Sequence, residues 1–292
     1  MRDKKDKRDE AVWLETTESW RKEREAALRG PWSWLSLSAL IWLENTGGMT
    51  VGGEGPSLSP WRQVAEMGRI EADGRRWRFR GTDGAEMLLN DDISGEPVYL
   101  EREGLRIGVI TRSLRGLQRS ALRVWDSRSP RRDQMTFAWF DPDPRWILPA
   151  RFIPGEAPIT IPDALGGEEE NLSPGSLEFR VHGRDLRLRV LDGGGDSWFA
   201  IFHDATSGRK SGPASYPSAR YLTIEKKPYL DPEDYPVGNA ADAPEVLRVD
   251  FNRAVSPPCA YSPFATCPFA PEENYLDMPV TAGEIWLKSD GR

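Results

Sequence analysis

The chain has 292 residues, with 39 Lys and Arg against 46 Asp and Glu, a formal charge of −7. Only 38% of residues are hydrophobic, but 12 Trp supply material for a core, and the length suits one large domain or two modest ones. The acidic balance argues against a general nucleic-acid binder, which needs a basic face. Two histidines and two cysteines exclude three-histidine zinc sites, four-cysteine zinc sites and cysteine-held iron–sulfur clusters.

Residues 1–10 are almost all charged and read as a solvated arm without an apolar stretch, so no signal peptide is expected and a cytoplasmic location is the default. From Ala11 to Arg29 the pattern is helical. Trp13, Trp20 and Ala27 repeat every seven residues beside Leu14 and Leu28, and Glu18, Arg21, Lys22, Arg24 and Glu25 fall on the other, wet face. Gly30-Pro31 stops the helix. The stretch Trp32–Leu43 reads as a short second helix or a turn, too short to span a bilayer.

Beyond Asn45 the texture becomes β. Gly47, Gly48, Gly52, Gly53 and Gly55 open a loop, and RIEADGRRWRFR reads as a hairpin with Asp73-Gly74 at its turn. Strand-like runs follow in EMLLN, PVYLERE, LRIGVITRS and ALRVWDS, then in WILPARFI, PITIPDA, SLEFRVHG, RDLRLRVLD, SWFAIFHDA, ARYLTIE and EVLRVDFNRA. Turn signals at this spacing suit a sandwich or barrel. Residues 228–244 are rich in Pro and Asp and read as a surface loop. Six prolines between Ser256 and Pro279 forbid regular helix or a central strand there, so a wrap over a barrel mouth is expected.

Several segments carry chemistry-bearing residues. Asp204, Thr206 and Ser207 stand at a strand end, where they form either a tight turn or a ligand-binding cluster. In VDFNRA an extended chain would put Asp250 and Asn252 on one face, with Arg253 as a charge partner for an anion. Cys259 and Cys267, eight apart between prolines, are two inert thiols, a disulfide, or a reactive thiol whose cation would come from His203 or Arg253. Among Glu272, Glu273, Asn274 and Glu284, the glutamates offer carboxylates for acid–base work or cation binding, of which adjacent residues cannot share one site. Arg128, Arg131 and Arg132 bind a phosphate or pair with Asp126 or Asp133.

The string VDFNRAVSPPCAYSPFATCPFAPEENYLDMPVTAGE closely resembles the hallmark of an uncharacterised family, domain of unknown function 1684. WRKEREAALRGPWSWLSLSALIWLE, LRVWDSRSPRR, FHDATSG and ARYL are similar to further motifs of that family, so the resemblance spans about residues 12 to 288. The chain departs from the pattern at Ala254-Val255-Ser256-Pro257, at Tyr216–Ala219 and at His203. The family carries no activity to transfer. The middle of the chain is also loosely similar to a forkhead-associated sandwich, in fold only.

These readings define a mainly β fold. A charged arm and amphipathic helix (1–30) lead through N-terminal helical segments into a small forkhead-associated-like β-sandwich (31–130). A β-barrel or sandwich (131–292) follows, closed by the Pro-rich C-terminal wrap. Asp204, Thr206, Ser207, Arg220, Asp250, Asn252, Cys259, Cys267, Glu272, Glu273 and Asn274 are expected to converge on one polar pocket in the second unit, with Arg220 and Arg253 as charge partners for the ligand. That pocket would bind a small polar or anionic ligand; alternatively it serves a hydrolase or transferase using Cys259 or Glu273, or the motifs are structural. A small-molecule partner is expected, with no nucleic acid, membrane or metal; the sequence names no cofactor and no oligomeric state.

Overall fold

The computed structural model describes residues 4–43, 48–53, 58–74, 76–114, 116–227 and 246–287, with side chains from Ala11 onward. The chain is mainly β. Helix α1 (Lys4–Leu28) runs back through most of the charged arm. Its packing face differs from the sequence reading. Thr17, Arg21 and Leu28 are buried while Leu14 and Ala27 are exposed. Arg21 accounts for the shift: its Nη2 donates to the Phe140 carbonyl at 3.1 Å, and its guanidinium lies 4.8 Å above the Trp139 ring. A long cationic side chain joins an apolar face when its donors reach carbonyls and its plane meets an aromatic ring.

The stretch read as a second helix or a turn is a turn up to Ser36, and its remainder is strand β1 (Leu37–Trp42). It pairs antiparallel with β8 (Leu117–Asp126), which pairs with β7 (Leu105–Leu114) and through it with β6 (Tyr99–Arg102). An edge of β8 was open, and a ladder of main-chain bonds there outweighs the weak local helical pattern of a Ser-interrupted segment. A second antiparallel sheet orders β2 (Met49–Val51), β3 (Gly68–Asp73), β4 (Arg76–Gly81) and β5 (Glu86–Leu89) in sequence. The hairpin at Asp73-Gly74 forms as read, with Gly74 at φ +63°, where a side chain is strained. Both sheets enclose one core that includes Ile70, Phe79, Leu105, Ile107 and Leu122.

After the two-residue strand β9 (Ala138–Trp139), the second half forms a larger antiparallel sheet in the order β14 (Arg220–Glu225), β13 (Ser197–Asp204), β12 (Arg184–Asp192), β11 (Glu168–Val181), β10 (Ile147–Pro162) and β15 (Val246–Asp250). It nearly closes on itself. Tyr221 in β14 and Val255, just past β15, exchange two main-chain hydrogen bonds of 2.9 Å. The runs WILPARFI and PITIPDA, read as two strands, are one strand of 16 residues whose register shifts between Pro154 and Ala157. A bulge lets a proline-bearing strand remain in the sheet. Inside, Phe251 is the hub, edge-on to Phe179, Phe202 and Trp146 with centroids 5.5–6.0 Å away. Each such pair adds ~0.5–1.5 kcal/mol to simple burial.

The Pro-rich wrap from Ser256 to Pro279 forms no regular helix. It contains 3-10 turns at Pro258–Ala260 and Glu272–Asn274 and one two-residue strand, β16 (Tyr275–Leu276), parallel to β13. It also touches the first sheet: Leu37, Ala265 and Cys267 share a small cluster with Trp34 and Trp125. The segment 228–244, read as a loop, lies outside the described residues, as do Gly47 and Gly55.

Candidate functional site

The motif residues do not meet in one pocket. They divide into clusters, each directed at irregular chain. At the first, β13 ends in Asp204, whose Oδ1 accepts from the main-chain N–H of Thr206 at 2.8 Å and of Val280 at 3.0 Å. Its Oδ2 pairs with Arg220 Nη1 at 2.9 Å, with both side chains shut off from solvent. Arg220 also donates to the carbonyls of Val280, at 3.0 Å, and Ala282. Gly283, at φ +79°, makes this approach possible, because a Cβ there would lie 2.3 Å from the Ala254 carbonyl oxygen and 2.8 Å from Arg220 Nη2. Thr206 and Ser207 bond to the Ser215 hydroxyl at 2.9 and 3.3 Å. The cluster staples residues 280–283 to the barrel end.

The second cluster corrects the strand reading of VDFNRA. The strand stops at Asp250, whose Oδ1 caps a 3-10 turn by accepting from Asn252 N at 3.1 Å. Buried Asn252 accepts from Asp143 N and donates to the Asp143 carbonyl, both at 2.9 Å. The third centres on Asn274. Its Oδ1 accepts from Arg189 N at 2.8 Å, and its Nδ2 donates to the carbonyls of Arg189 and Ile201 at 2.9 and 2.8 Å. It therefore joins β12 to β13 where they share only two register pairs. Glu273 beside it is exposed, 3.4 Å from Arg189. The reason for the dispersal is general: proline-rich chain cannot satisfy its polar groups in a ladder, and buried groups must be satisfied somewhere.

Cys259 and Cys267 are both free thiols. The main-chain N–H of Cys259 donates to Cys267 Sγ at 3.0 Å. The expected cations are elsewhere: His203 tilts against the Tyr275 ring at 4.7 Å, and Arg253 lies over Trp20 at 5.3 Å. Burial lowers the His203 pKa, against the pull of Asp204. Arg123 takes their place near the sulfurs, and burial, then the charge of Arg112, brings its pKa down to about 10. The basic run is likewise rearranged. Arg131 Nη1 and Arg132 Nε donate to the carbonyls of Tyr261 and Arg29, at 3.4 and 2.8 Å, while Asp126 takes Arg62 as its ion pair at 3.2 Å.

A pocket of about 370 Å³ opens between α1 and the turn that follows it, lined by Trp20, Arg24, Ala27, Leu28, Ser33 and Trp34. Beneath it lies a polar cluster. Arg24 Nη2 donates to the Tyr261 hydroxyl at 3.0 Å and pairs with Glu284 at 3.4 Å. Tyr261 donates to Glu284 Oε1 at 2.5 Å, and Ser256 N donates to Oε2 at 3.1 Å. Burial pushes the Glu284 carboxyl above its ordinary value against the opposing charge of Arg24, and burial and the charge of Glu284 raise the Tyr261 phenol. Among the described residues, Arg24 bonds only through Nη2, and its Nε is buried without a partner. Arg253 adds a second positive charge at the Trp20 ring. A cationic group among apolar and aromatic walls has the composition of a ligand site. Sequence reasoning singled out Glu284 but missed Arg24, Trp34 and Tyr261. The signal was the spacing of Thr17, Arg21, Arg24 and Leu28, which share one helical face; residue type alone had assigned the arginines to water.

A broader depression of about 610 Å³ lies on the outer face of the barrel, bordered by Arg151, Arg180 and Arg187 together with Glu178 and Asp185. Its charges are mixed and largely solvated, as in the exposed Arg151–Glu178 and Arg180–Asp185 pairs. It has no buried donor comparable to Arg24.

The family model described as Protein of unknown function (DUF1684) matches residues 134–285. A solution NMR structure of an uncharacterized protein from Haloarcula marismortui is similar at 29% identity and a TM-score of 0.39, covering 54% of this chain and 80% of that one. No curated protein matches. No helix among the described residues is long and apolar enough to cross a membrane.

Proposed function

The chain belongs to the family of unknown function DUF1684, which supplies no activity, and from that premise we propose that it binds a small carboxylate with an apolar body in the pocket between Trp20, Arg24 and Trp34. The observation that carries this reading is Arg24. It lines the pocket, its Nη2 is engaged by Tyr261, Glu284 and the Ser256 carbonyl, and its Nη1 makes no hydrogen bond among the described residues. A guanidinium recognises a carboxylate by paired donors. Trp20 and Trp34 offer flat faces to an aromatic or aliphatic body, and the volume falls within the range of small-ligand pockets. Glu284 and Tyr261 hold the arginine in place from below, and both lie within the segment matched by the family model. The anion-binding charge in this reading comes from α1 and not from Arg220, which does not line this pocket and whose two terminal nitrogens are taken by Asp204 and the carbonyls of Val280 and Ala282.

The test is tryptophan fluorescence titration and thermal shift of the whole chain with benzoate, indole-3-acetate and hexanoate, each beside its amide. The acids are expected to quench emission saturably and raise the unfolding temperature, the amides to do neither. Arg24→Gln is expected to weaken acid binding ~tenfold or more, the scale of one charge-assisted hydrogen bond. Equal responses to acids and amides, or an unchanged response in Arg24→Gln, overturn the reading.

A further inference from the structure

The wrap carries a second site, separate from the Arg24 pocket in its chemistry. Cys259 and Cys267 both face the cluster formed by Leu37, Ala265, Trp34, Trp125 and Phe264, where the wrap meets the first sheet. Cys267 is buried and Cys259 is half-buried. The chain between them is short and stiffened by Pro263. Its ends are drawn together by the bond from Cys259 N–H to Cys267 Sγ at 3.0 Å, and Cys259 Sγ itself reaches the Ala265 carbonyl at 3.5 Å. The neighbouring cation is Arg123, held by Thr266 at 3.2 Å and stacked 5.4 Å from the Trp34 ring.

We propose that Cys259 and Cys267 form a peroxide-oxidised thiol pair, with Cys259 as the attacking sulfur and Cys267 as the resolving one. Accessibility sets the order, since the half-buried sulfur meets a small hydroperoxide first and the buried one waits beside it. Electrostatics agrees. The hydrogen bond from the Cys267 thiol, and then the Arg123 charge, hold the Cys259 thiol below its ordinary value against burial, while Cys267 is raised. A thiolate is the reactive form.

The chemistry balances with a hydroperoxide as the oxidant. The Cys259 thiolate attacks the peroxide oxygen; an S–O bond forms, the O–O bond breaks, and the leaving alkoxide or hydroxide takes a proton from water. Cys259 is then a sulfenic acid, oxidised by two electrons, and the peroxide is reduced by two. Cys267 sulfur attacks Cys259 sulfur; the S–S bond forms, the S–O bond breaks, and the departing hydroxide leaves as water with the Cys267 proton. The product closes the 259–267 loop covalently at the contact between the wrap and the first sheet. A small dithiol reverses it.

The experiment treats the native full chain with hydrogen peroxide at equal concentration, followed by alkylation in denaturant and intact mass. The expected result is loss of two hydrogens, no alkylation at either cysteine, and restoration of both by dithiothreitol. A non-reducing peptide map joins the two cysteine peptides. Cys267→Ser is expected to trap a sulfenic acid at Cys259 that a cyclic dione labels, and Cys259→Ser to consume peroxide ~tenfold more slowly than the parent. If a serine variant does not fold, the peptide map of the parent decides alone. Two alkylatable thiols after peroxide, a disulfide between chains, or parent-like peroxide consumption in folded Cys259→Ser overturns the proposal.

Discussion

Two regions of this molecule use the same residue types for opposite ends. On the β3–β5 sheet, Arg69, Arg78 and Arg80 pair with Glu71, Asp73 and Glu86 at 2.6–3.4 Å, and every one of these side chains stays about a third exposed or more. At the barrel end, Asp204 and Arg220 pair at 2.9 Å with 0% and 1% of their side chains exposed. The exposed ladder decorates strands already joined to one another by main-chain bonds. The buried pair does what strands would otherwise do, giving partners to the amides and carbonyls of residues 206 and 280–282. Water screens the first kind and leaves the second at full strength.

The largest expected effect is at the buried pair. Arg220→Met strands an ionised carboxylate under the wrap and is expected to lower stability by ~3–5 kcal/mol in urea unfolding. The double variant with Asp204→Asn should recover part of that loss, because the amide oxygen still accepts from Thr206 and Val280. Simple additivity of the two substitutions would show that the pair does not act as a unit.

An intermediate effect separates two buried carboxylates by sign. Burial works against Asp126, but Ser59, the Arg128 N–H and Arg62 together bring its pKa below the ordinary 3.8. Its contribution is present above pH 3.8 and is lost as pH falls through its lowered value. Glu284 is raised above the ordinary 4.5 because burial outweighs Arg24, Tyr261 and the Ser256 N–H. Its contribution is full below pH 4.5 and is lost as pH rises through its raised value. The stability of Glu284→Gln relative to the parent should therefore climb as pH rises from 4.5 towards 7. That of Asp126→Asn should fall as pH rises from 2 towards 5. Thermal unfolding across these pH values reads both, and slopes of the same sign would contradict the assignment.

The smallest effect belongs to the ladder. Arg80→Gln removes two exposed ion pairs, at 3.0 and 3.2 Å, and is expected to change stability by less than ~0.5 kcal/mol, with the change vanishing in high salt. A loss comparable to that of Arg220→Met would erase the distinction between the two regions.

Local pattern made much of the β architecture legible. The alternation in RDLRLRVLD, the Asp73-Gly74 turn and the evenly spaced strand runs all correspond to elements of the chain, because side-chain period and turn chemistry are properties of a few adjacent residues. Local pattern misread Leu37–Trp42 because the edge of β8 that it fills is remote in sequence, and it split β10 at prolines that a bulge accommodates. The candidate residues followed the same division. Residue type and local motif singled out Asp204, Asn252 and Asn274, and the family resemblance of ARYL singled out Arg220. Neither could say that each also bonds to backbone groups 60 to 109 positions away.

Alone, then, the sequence determined a mainly β chain with an amphipathic N-terminal helix and a proline-rich wrap denied regular structure, together with the family motifs. Those follow from local sterics, hydrophobic period and the missing N–H of proline. Only the tertiary structure decided which polar groups are occupied and which are open. It set the terminal nitrogens of Arg220 against Asp204 and two carbonyls, left Arg24 beside a pocket, and set Cys259 against Cys267. Most buried polar groups find a partner, and which partner each finds depends on chain brought in from far along the sequence.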